Sequence, residues 1–136
     1  MAGSQSALRD PHSAIKRRVL VVDDNRDSAE SMAEMLRLLG NDVATAHDGL
    51  EAVEAAGRVR PDVVLMDVGM PKLNGLDATR RIREQDWGRR MTILALTGWG
   101  QEEDRRRTRE AGFDHHFTKP VAPETLRNLF SGMAAG

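Results

Sequence analysis

Five short runs of apolar and β-branched residues recur along the chain, and a segment with helical periodicity follows each run. The runs lie at 18–23, 42–46, 62–67, 91–96 and 114–118. The first, third and fourth runs are nearly continuous in apolar residues, which is typical of strands that are covered on both faces of a parallel sheet. Parallel strands need crossover connections, and right-handed helical crossovers cover both faces. The pattern therefore predicts an α/β fold, a doubly wound five-stranded parallel sheet with helices on both faces.

The segments between the runs carry signals of helix ends. Asn25 or Asp27 could cap the first helix, and Gly40 follows it where a C-terminal cap belongs. The fourth segment, 102–111, is unusually polar, and its arginines alternate with acidic residues. This alternation favours a solvated helix face over a nucleic-acid patch.

Length and composition limit the kinds of protein that this chain can be. Its 136 residues suit one domain, which we expect at 18–133 after a polar, flexible leader at 1–17. The net charge of −1 gives no general attraction for nucleic acid or anionic lipid. The absence of cysteine excludes disulfides, thiolate zinc sites and cysteine nucleophiles. No apolar run approaches the ~18 residues that cross a bilayer. We therefore expect a cytoplasmic protein that contacts neither membrane nor nucleic acid directly.

Polar side chains stand at four of the five expected strand ends. Asp23 and Asp24 come at the end of the first strand and Asp67 at the end of the third, while Thr97 follows the fourth and Lys119 follows the fifth. In a doubly wound sheet the ligand crevice lies at the carboxyl ends of the strands. We therefore expect these side chains to meet at one edge of the sheet.

Three converging carboxylates point to a particular chemistry. They repel one another, and a hard divalent cation such as Mg²⁺ or Mn²⁺ removes the conflict because it prefers oxygen ligands. A carboxylate beside such an ion can attack phosphorus and form an aspartyl phosphate. The cation and Lys119 would offset charge on the transferring oxygens, and Thr97 could hydrogen-bond one of them. The residues thus favour metal-assisted phosphoryl transfer.

Each of these residues also has an ordinary structural explanation. Asp23 and Asp24 could cap a helix, Asp67 could end a strand, Thr97 could belong to a turn, and Lys119 could be a solvated loop residue. Taken together, acids, a hydroxyl and a lysine at successive strand ends would then be a coincidence. We therefore prefer the interpretation as one shared site.

Five motifs in order make the chain resemble the receiver domain of two-component response regulators, from residue 18 to about 130. The motifs are VVDDN at 21–25, LMDVGMP at 65–71, NG at 74–75, ALTG at 95–98 and FTKP at 117–120. The resemblance implies a flavodoxin-like sheet with strand order 2-1-3-4-5. It also implies a histidine kinase or a histidine phosphotransfer domain as partner. The segments 96–104 and 111–116 are most similar in style to receivers of hybrid histidine kinases.

The resemblance implies a role for each acidic residue of the site. Asp67 would be the phosphoacceptor. Asp23 and Asp24 would form the acidic pair that holds Mg²⁺ together with Asp67, with Asp23 acting directly or through water. Gly69 would offer its backbone carbonyl to the metal.

The resemblance also implies a switch beside the metal site. Thr97 would be the hydroxyl that moves toward the phosphate, and Lys119 would pair with the phosphate through its ammonium group. The Lys119–Pro120 peptide bond would be cis. The family often has Tyr or Phe three residues before the lysine, whereas this chain has His116. A histidine there could still rotate as the switch residue.

Three classes of function differ in the residues that they require. The favoured one is a single-domain, phospho-accepting signalling regulator with self-catalysed phosphotransfer and autodephosphorylation, and an excised receiver of a hybrid histidine kinase is its alternative. A Mg²⁺-dependent aspartyl-phosphate phosphatase usually carries a second Asp two residues after the nucleophile, where this chain has Gly69. A DNA-binding regulator would need a helix-turn-helix, for which residues 123–136 give no room.

Overall fold

The computed structural model describes residues 17–68, 74–98, 102–119 and 121–132, and the side chains of these residues except 102–104 and 131–132. In these ranges five strands alternate with five α-helices. In chain order they are β1 (Arg18–Val22), α1 (Arg26–Leu38), β2 (Asp42–Ala46), α2 (Gly49–Val59), β3 (Val63–Asp67), α3 (Gly75–Glu84), β4 (Thr92–Thr97), α4 (Glu102–Ala111), β5 (His115–Thr118) and α5 (Pro123–Gly132). A short 3₁₀ helix, Asp86–Gly88, lies between α3 and β4.

The five strands form one parallel sheet in the order β2-β1-β3-β4-β5. This confirms the predicted doubly wound, flavodoxin-like α/β fold and its strand order. Thr97 is the last residue of β4, so this strand ends one residue later than the sequence pattern suggested.

The two faces of the sheet bury separate apolar clusters because successive strand residues point to opposite sides. On one face, Leu20, Val64 and Ile93 pack against α2 and α3. On the other face, Val21 and Leu65 pack with residues of α1 and α5. The central strands β1, β3 and β4 are therefore covered on both sides, as their apolar composition predicted. Among the described helices, none combines the length and apolar composition that crossing a bilayer requires.

Polar side chains cap the helices that follow β1 and β3. The side chain of Asn25 accepts a hydrogen bond from the Ser28 N–H at the start of α1, so Asn25 rather than Asp27 is the N-cap. Asn74 caps α3 in the same way. Gly40 has a φ of +98° just beyond α1, a conformation that glycine adopts at little cost. The Asn25 and Asn74 caps fix where α1 and α3 begin. They therefore also fix where the loops after β1 and β3 end.

Candidate functional site

Three carboxylates come together at the carboxyl ends of β1 and β3. These strands are parallel neighbours, so Asp23, which follows β1, lies beside Asp67, the last residue of β3. One carboxylate oxygen from each of Asp23, Asp24 and Asp67 lies within 4.8 Å of the other two. Asp23 and Asp67 are buried, whereas Asp24 is exposed. The acidic residues predicted from two separate strand ends therefore meet.

Lys119 lies against the two buried carboxylates. Its Nζ is 3.2 Å from Oδ2 of Asp67 and 3.7 Å from Oδ2 of Asp23. Its backbone N–H donates to the Thr97 carbonyl at 2.7 Å, which holds the loop after β5 beside the end of β4. The lysine predicted for the site is thus placed next to the predicted acceptor.

The backbone around Asp23 holds this carboxylate in position. Its Oδ1 accepts the N–H of Asn25 at 3.0 Å, and its own N–H donates to the Ala46 carbonyl at 3.0 Å. Its carbonyl oxygen lies 3.1 Å from Nδ1 of His47, and this ring nitrogen must carry the hydrogen because a carbonyl only accepts. His47 was not among the residues predicted for the site. It follows β2 directly, so the strand-end rule that found the acids would also have found it.

Burial is the main cause that raises the pKa of Asp23 above its usual range. The negative charges of Asp67 and Asp24 raise this pKa further, while the Asn25 N–H and the Lys119 ammonium lower it. Among the described residues, three carboxylates thus face one ammonium group at this site. The donor set, three carboxylates with hard oxygen atoms, fits Mg²⁺ or Mn²⁺, and a divalent cation would remove the repulsion.

Thr97 lies at the same edge, on the strand next to β3. Asp67 pairs with Leu96 in the sheet, so Thr97 stands one residue further along β4. The Thr97 Oγ1 is 3.0 Å from Nε2 of His116, and Nδ1 of the same ring is 3.2 Å from Oγ1 of Thr108. The structure therefore brings the predicted switch hydroxyl and His116 into direct contact.

The family model described as the response regulator receiver domain matches residues 19–131. The chain belongs to this receiver domain family.

Curated relatives of this receiver domain include the response regulator MprA of several mycobacteria. The sequence is 41% identical over 109 residues to MprA of Mycobacterium ulcerans, covering 80% of this chain and 46% of the relative. For MprA of Mycobacterium tuberculosis H37Ra the identity is 40%, with the same 80% and 46% covered. The chain therefore spans about half the length of the curated relatives that it matches.

Solved receiver domains share the fold. The receiver domain of sensor histidine kinase PA1611 from Pseudomonas aeruginosa is 38% identical with a TM-score of 0.78, covering 84% of this chain and 93% of that one. Its crystal structure has a magnesium ion coordinated in the active site cleft. The chemotaxis protein CheY4 of Vibrio cholerae is 32% identical with a TM-score of 0.80, covering 85% of this chain and 96% of that one.

Some predicted features of this receiver lie outside the described residues. They are the Gly69 carbonyl, the Lys119–Pro120 peptide bond and all of the leader predicted at 1–17 except Arg17, which is described and buried. The metal-binding role of Gly69 and the cis peptide stay predictions.

Proposed function

We propose that this receiver accepts a phosphoryl group from a phosphohistidine onto Asp67. The observation that carries the proposal is the buried Asp67 carboxylate, with the Lys119 ammonium 3.2 Å away and two further acids beside it. A nucleophilic carboxylate needs positive charge nearby to receive the three oxygens of a phosphoryl group. Asp67 has this charge in Lys119, and the acids beside it suit a cation.

The positions of Asp23, Asp24, Thr97 and Lys119 support a role for each of them. Asp23, Asp24 and Asp67, with the Gly69 carbonyl, would hold Mg²⁺ or Mn²⁺. When bound, the cation supplies positive charge to the phosphoryl oxygens. Lys119 would pair with the phosphate, and Thr97 would donate its hydroxyl hydrogen to a phosphate oxygen.

The transfer conserves atoms and charge with a proton from solvent as the only further reactant. An oxygen of Asp67 forms a bond to phosphorus as the phosphorus–nitrogen bond of the donor histidine breaks. The donor imidazole keeps the electron pair of that bond and takes up a proton. Water later attacks the phosphorus, which restores the Asp67 carboxylate and releases inorganic phosphate.

A groove next to the site suits the approach of the phosphohistidine donor. It has a volume of about 470 Å³ and lies between α1 and the loop after β5. Ser28, Ser31 and Met32 line one side, and Asp23 and Lys119 line the end at the site. A histidine kinase or a histidine phosphotransfer domain that docks along α1 would present its histidine to Asp67. The proposal also includes a cytoplasmic location and domain limits of 18–133, and the family match over 19–131 supports these limits.

The test is incubation with acetyl phosphate and MgCl₂ followed by intact mass spectrometry. We expect one added phosphoryl group, which is absent after Asp67→Asn and absent in excess chelator. Asp27→Asn is the matched control, because Asp27 is an exposed acid near the site but outside the three-carboxylate cluster, and it should be labelled like the native chain. Labelling that persists in Asp67→Asn would place the acceptor elsewhere. Multiple turnover of a phosphate ester would favour the phosphatase alternative instead.

A further inference from the structure

The ring of His116 lies between two buried threonine hydroxyls on different elements. Nε2 is 3.0 Å from Oγ1 of Thr97 at the end of β4, and Nδ1 is 3.2 Å from Oγ1 of Thr108 in α4. Thr97 is 5% exposed and Thr108 is 3% exposed, so water has little access to either hydroxyl. The imidazole therefore links the predicted switch hydroxyl to a helix that is separate from the carboxylate cluster.

The direction of these hydrogen bonds follows from the second contact of the Thr108 hydroxyl. Its hydroxyl donates to the carbonyl of Arg105 at 2.9 Å, shorter than its contact with His116. A hydroxyl has one hydrogen, so Thr108 can only accept from the ring, and Nδ1 must carry the hydrogen. A neutral imidazole carries a hydrogen on only one nitrogen, so a hydrogen on Nδ1 leaves Nε2 as a hydrogen-bond acceptor. The Thr97 hydroxyl therefore donates to the ring.

We propose that Thr108 is a positioning residue for Thr97, acting through the tautomer of His116. Thr108 accepts a hydrogen bond from Nδ1–H, and this leaves Nε2 as an acceptor. While Asp67 is unphosphorylated, Nε2 accepts the hydrogen bond that the Thr97 hydroxyl donates. This inference rests on the proposed function, in which the same hydrogen moves to a phosphate oxygen. When the Thr97 hydroxyl turns to the phosphate, Nε2 loses its hydrogen-bond donor. The contact between His116 and α4 therefore becomes sensitive to the phosphorylation of Asp67.

The first test is the tautomer of His116, read from its side-chain nitrogen shifts by NMR on the unphosphorylated chain in mildly alkaline buffer. We expect Nδ1 protonated and Nε2 unprotonated in the native chain. In Thr108→Val the acceptor is gone, and we expect the ring to change to the Nε2–H form and donate to Thr97. Thr108→Ser keeps a hydroxyl and should restore the Nδ1–H form.

Thr79→Val is the matched control, because it makes the same substitution at a buried threonine whose hydroxyl has no hydrogen-bond partner among the described residues. It should leave the His116 shifts unchanged, and the backbone amide spectrum reports whether each variant is folded. An Nε2–H ring in the native chain, or one that stays Nδ1–H in folded Thr108→Val, would overturn the inference.

The second test separates this inference from the proposed function. After loading with acetyl phosphate and MgCl₂, the Nε2 shift of the native chain should change because the Thr97 hydroxyl has left it. In Thr108→Val this change should be lost, since Nε2 already carries a hydrogen. A native chain that gains no phosphoryl group contradicts the proposed function, and the tautomer test still decides the role of Thr108. A loaded chain with an unchanged Nε2 shift contradicts the positioning role alone.

Discussion

The carboxyl group of Asp23 is buried at the end of β1, where it faces two other carboxylates and one ammonium group. Burial raises its pKa above the ordinary value of 3.8, and Asp67 and Asp24 add to the effect. A folded-state pKa above the unfolded one means that the folded chain binds the proton more tightly. The protonated Asp23 carboxyl group therefore contributes its full stabilisation of the fold below the unfolded pKa. This stabilisation is lost as the pH rises through the folded pKa. At neutral pH the charged Asp23 destabilises the metal-free fold.

Asp23→Asn should therefore raise the free energy of unfolding at neutral pH in buffer that contains a chelator. The advantage should shrink as the pH falls toward 3.8, where the native carboxyl group also becomes neutral. Urea denaturation across this pH range measures both effects, with Asp27→Asn as the control for the loss of one exposed negative charge. A variant less stable than the native chain at neutral pH would mean that the contacts with Lys119 and Asn25 outweigh burial.

The hydroxyl of Thr79 is fully buried in α3, and it has no hydrogen-bond partner among the described residues. A buried polar group without a partner carries a desolvation cost that an apolar group of the same shape does not. Thr79→Val should therefore leave stability unchanged or raise it by up to about 1 kcal/mol. Thr108→Val is the contrasting variant and should lose about 1 kcal/mol, because its hydroxyl makes hydrogen bonds that valine cannot. Equal losses in the two variants would contradict this account.

At the scale of elements, the first turn of α3 packs directly on the end of the strand that carries the acceptor. The N–H of Gly75 donates to the Val68 carbonyl at 3.1 Å. A Cβ at Gly75 would lie 2.5 Å from the Asp67 carbonyl oxygen and 2.9 Å from Cα of Val68. Backbone atoms cannot rotate away as side chains do. A side chain at Gly75 would therefore push α3 away from the end of β3, and its absence allows the two elements to pack in this arrangement.

Gly75→Ala should therefore destabilise the fold by about 1–3 kcal/mol, the usual cost of overpacking. It should also slow phosphorylation of Asp67, because the backbone that carries the carboxylate must shift. Denaturation and the time course of labelling by acetyl phosphate measure the two effects. Gly98→Ala is the control, since a Cβ there would meet no atom of the described residues within 4 Å. Native stability and native labelling in Gly75→Ala would show that the loop absorbs the extra carbon without moving Asp67.

The elements were predictable from the sequence because strands buried on both faces leave a strong compositional signal. Each strand lies within one residue of its predicted position. The convergence of the acids and Lys119 also followed from the rule on strand ends. Neither the 3₁₀ helix Asp86–Gly88 nor the role of Thr108 was predicted from the sequence. The side of α4 that contacts His116 depends on how the helix packs, and a sequence that is charged except at Thr108 and Ala111 does not identify His116 as the partner.

At the scale of the whole molecule, the two ends of the sheet serve different purposes. The acidic site occupies the carboxyl ends of the strands, whereas an arginine joins the segments at the amino ends of β4 and β5. The Arg83 guanidinium donates to the carbonyls of Gly88, Met91 and Gly112 at 2.6–2.9 Å. It also pairs with Asp114 at 2.8 Å, and this carboxylate accepts the Ile93 N–H. One side chain of α3 thus joins the 3₁₀ helix, the start of β4 and the loop before β5.

Arg83→Lys should destabilise the fold by about 2–3 kcal/mol, because an ammonium group cannot match the planar fork that reaches several carbonyls at once. Arg81→Lys is the control on the same helix, where the side chain is exposed, and its effect should stay within about 0.5 kcal/mol. Since Arg83 lies at the end of the sheet away from Asp67, the folded Arg83→Lys variant should still take up one phosphoryl group at the native rate. A slowed reaction in the folded variant would show that the amino end of the sheet also controls the geometry of the acceptor. Equal stability of the two lysine variants would show that the carbonyl contacts of Arg83 contribute little.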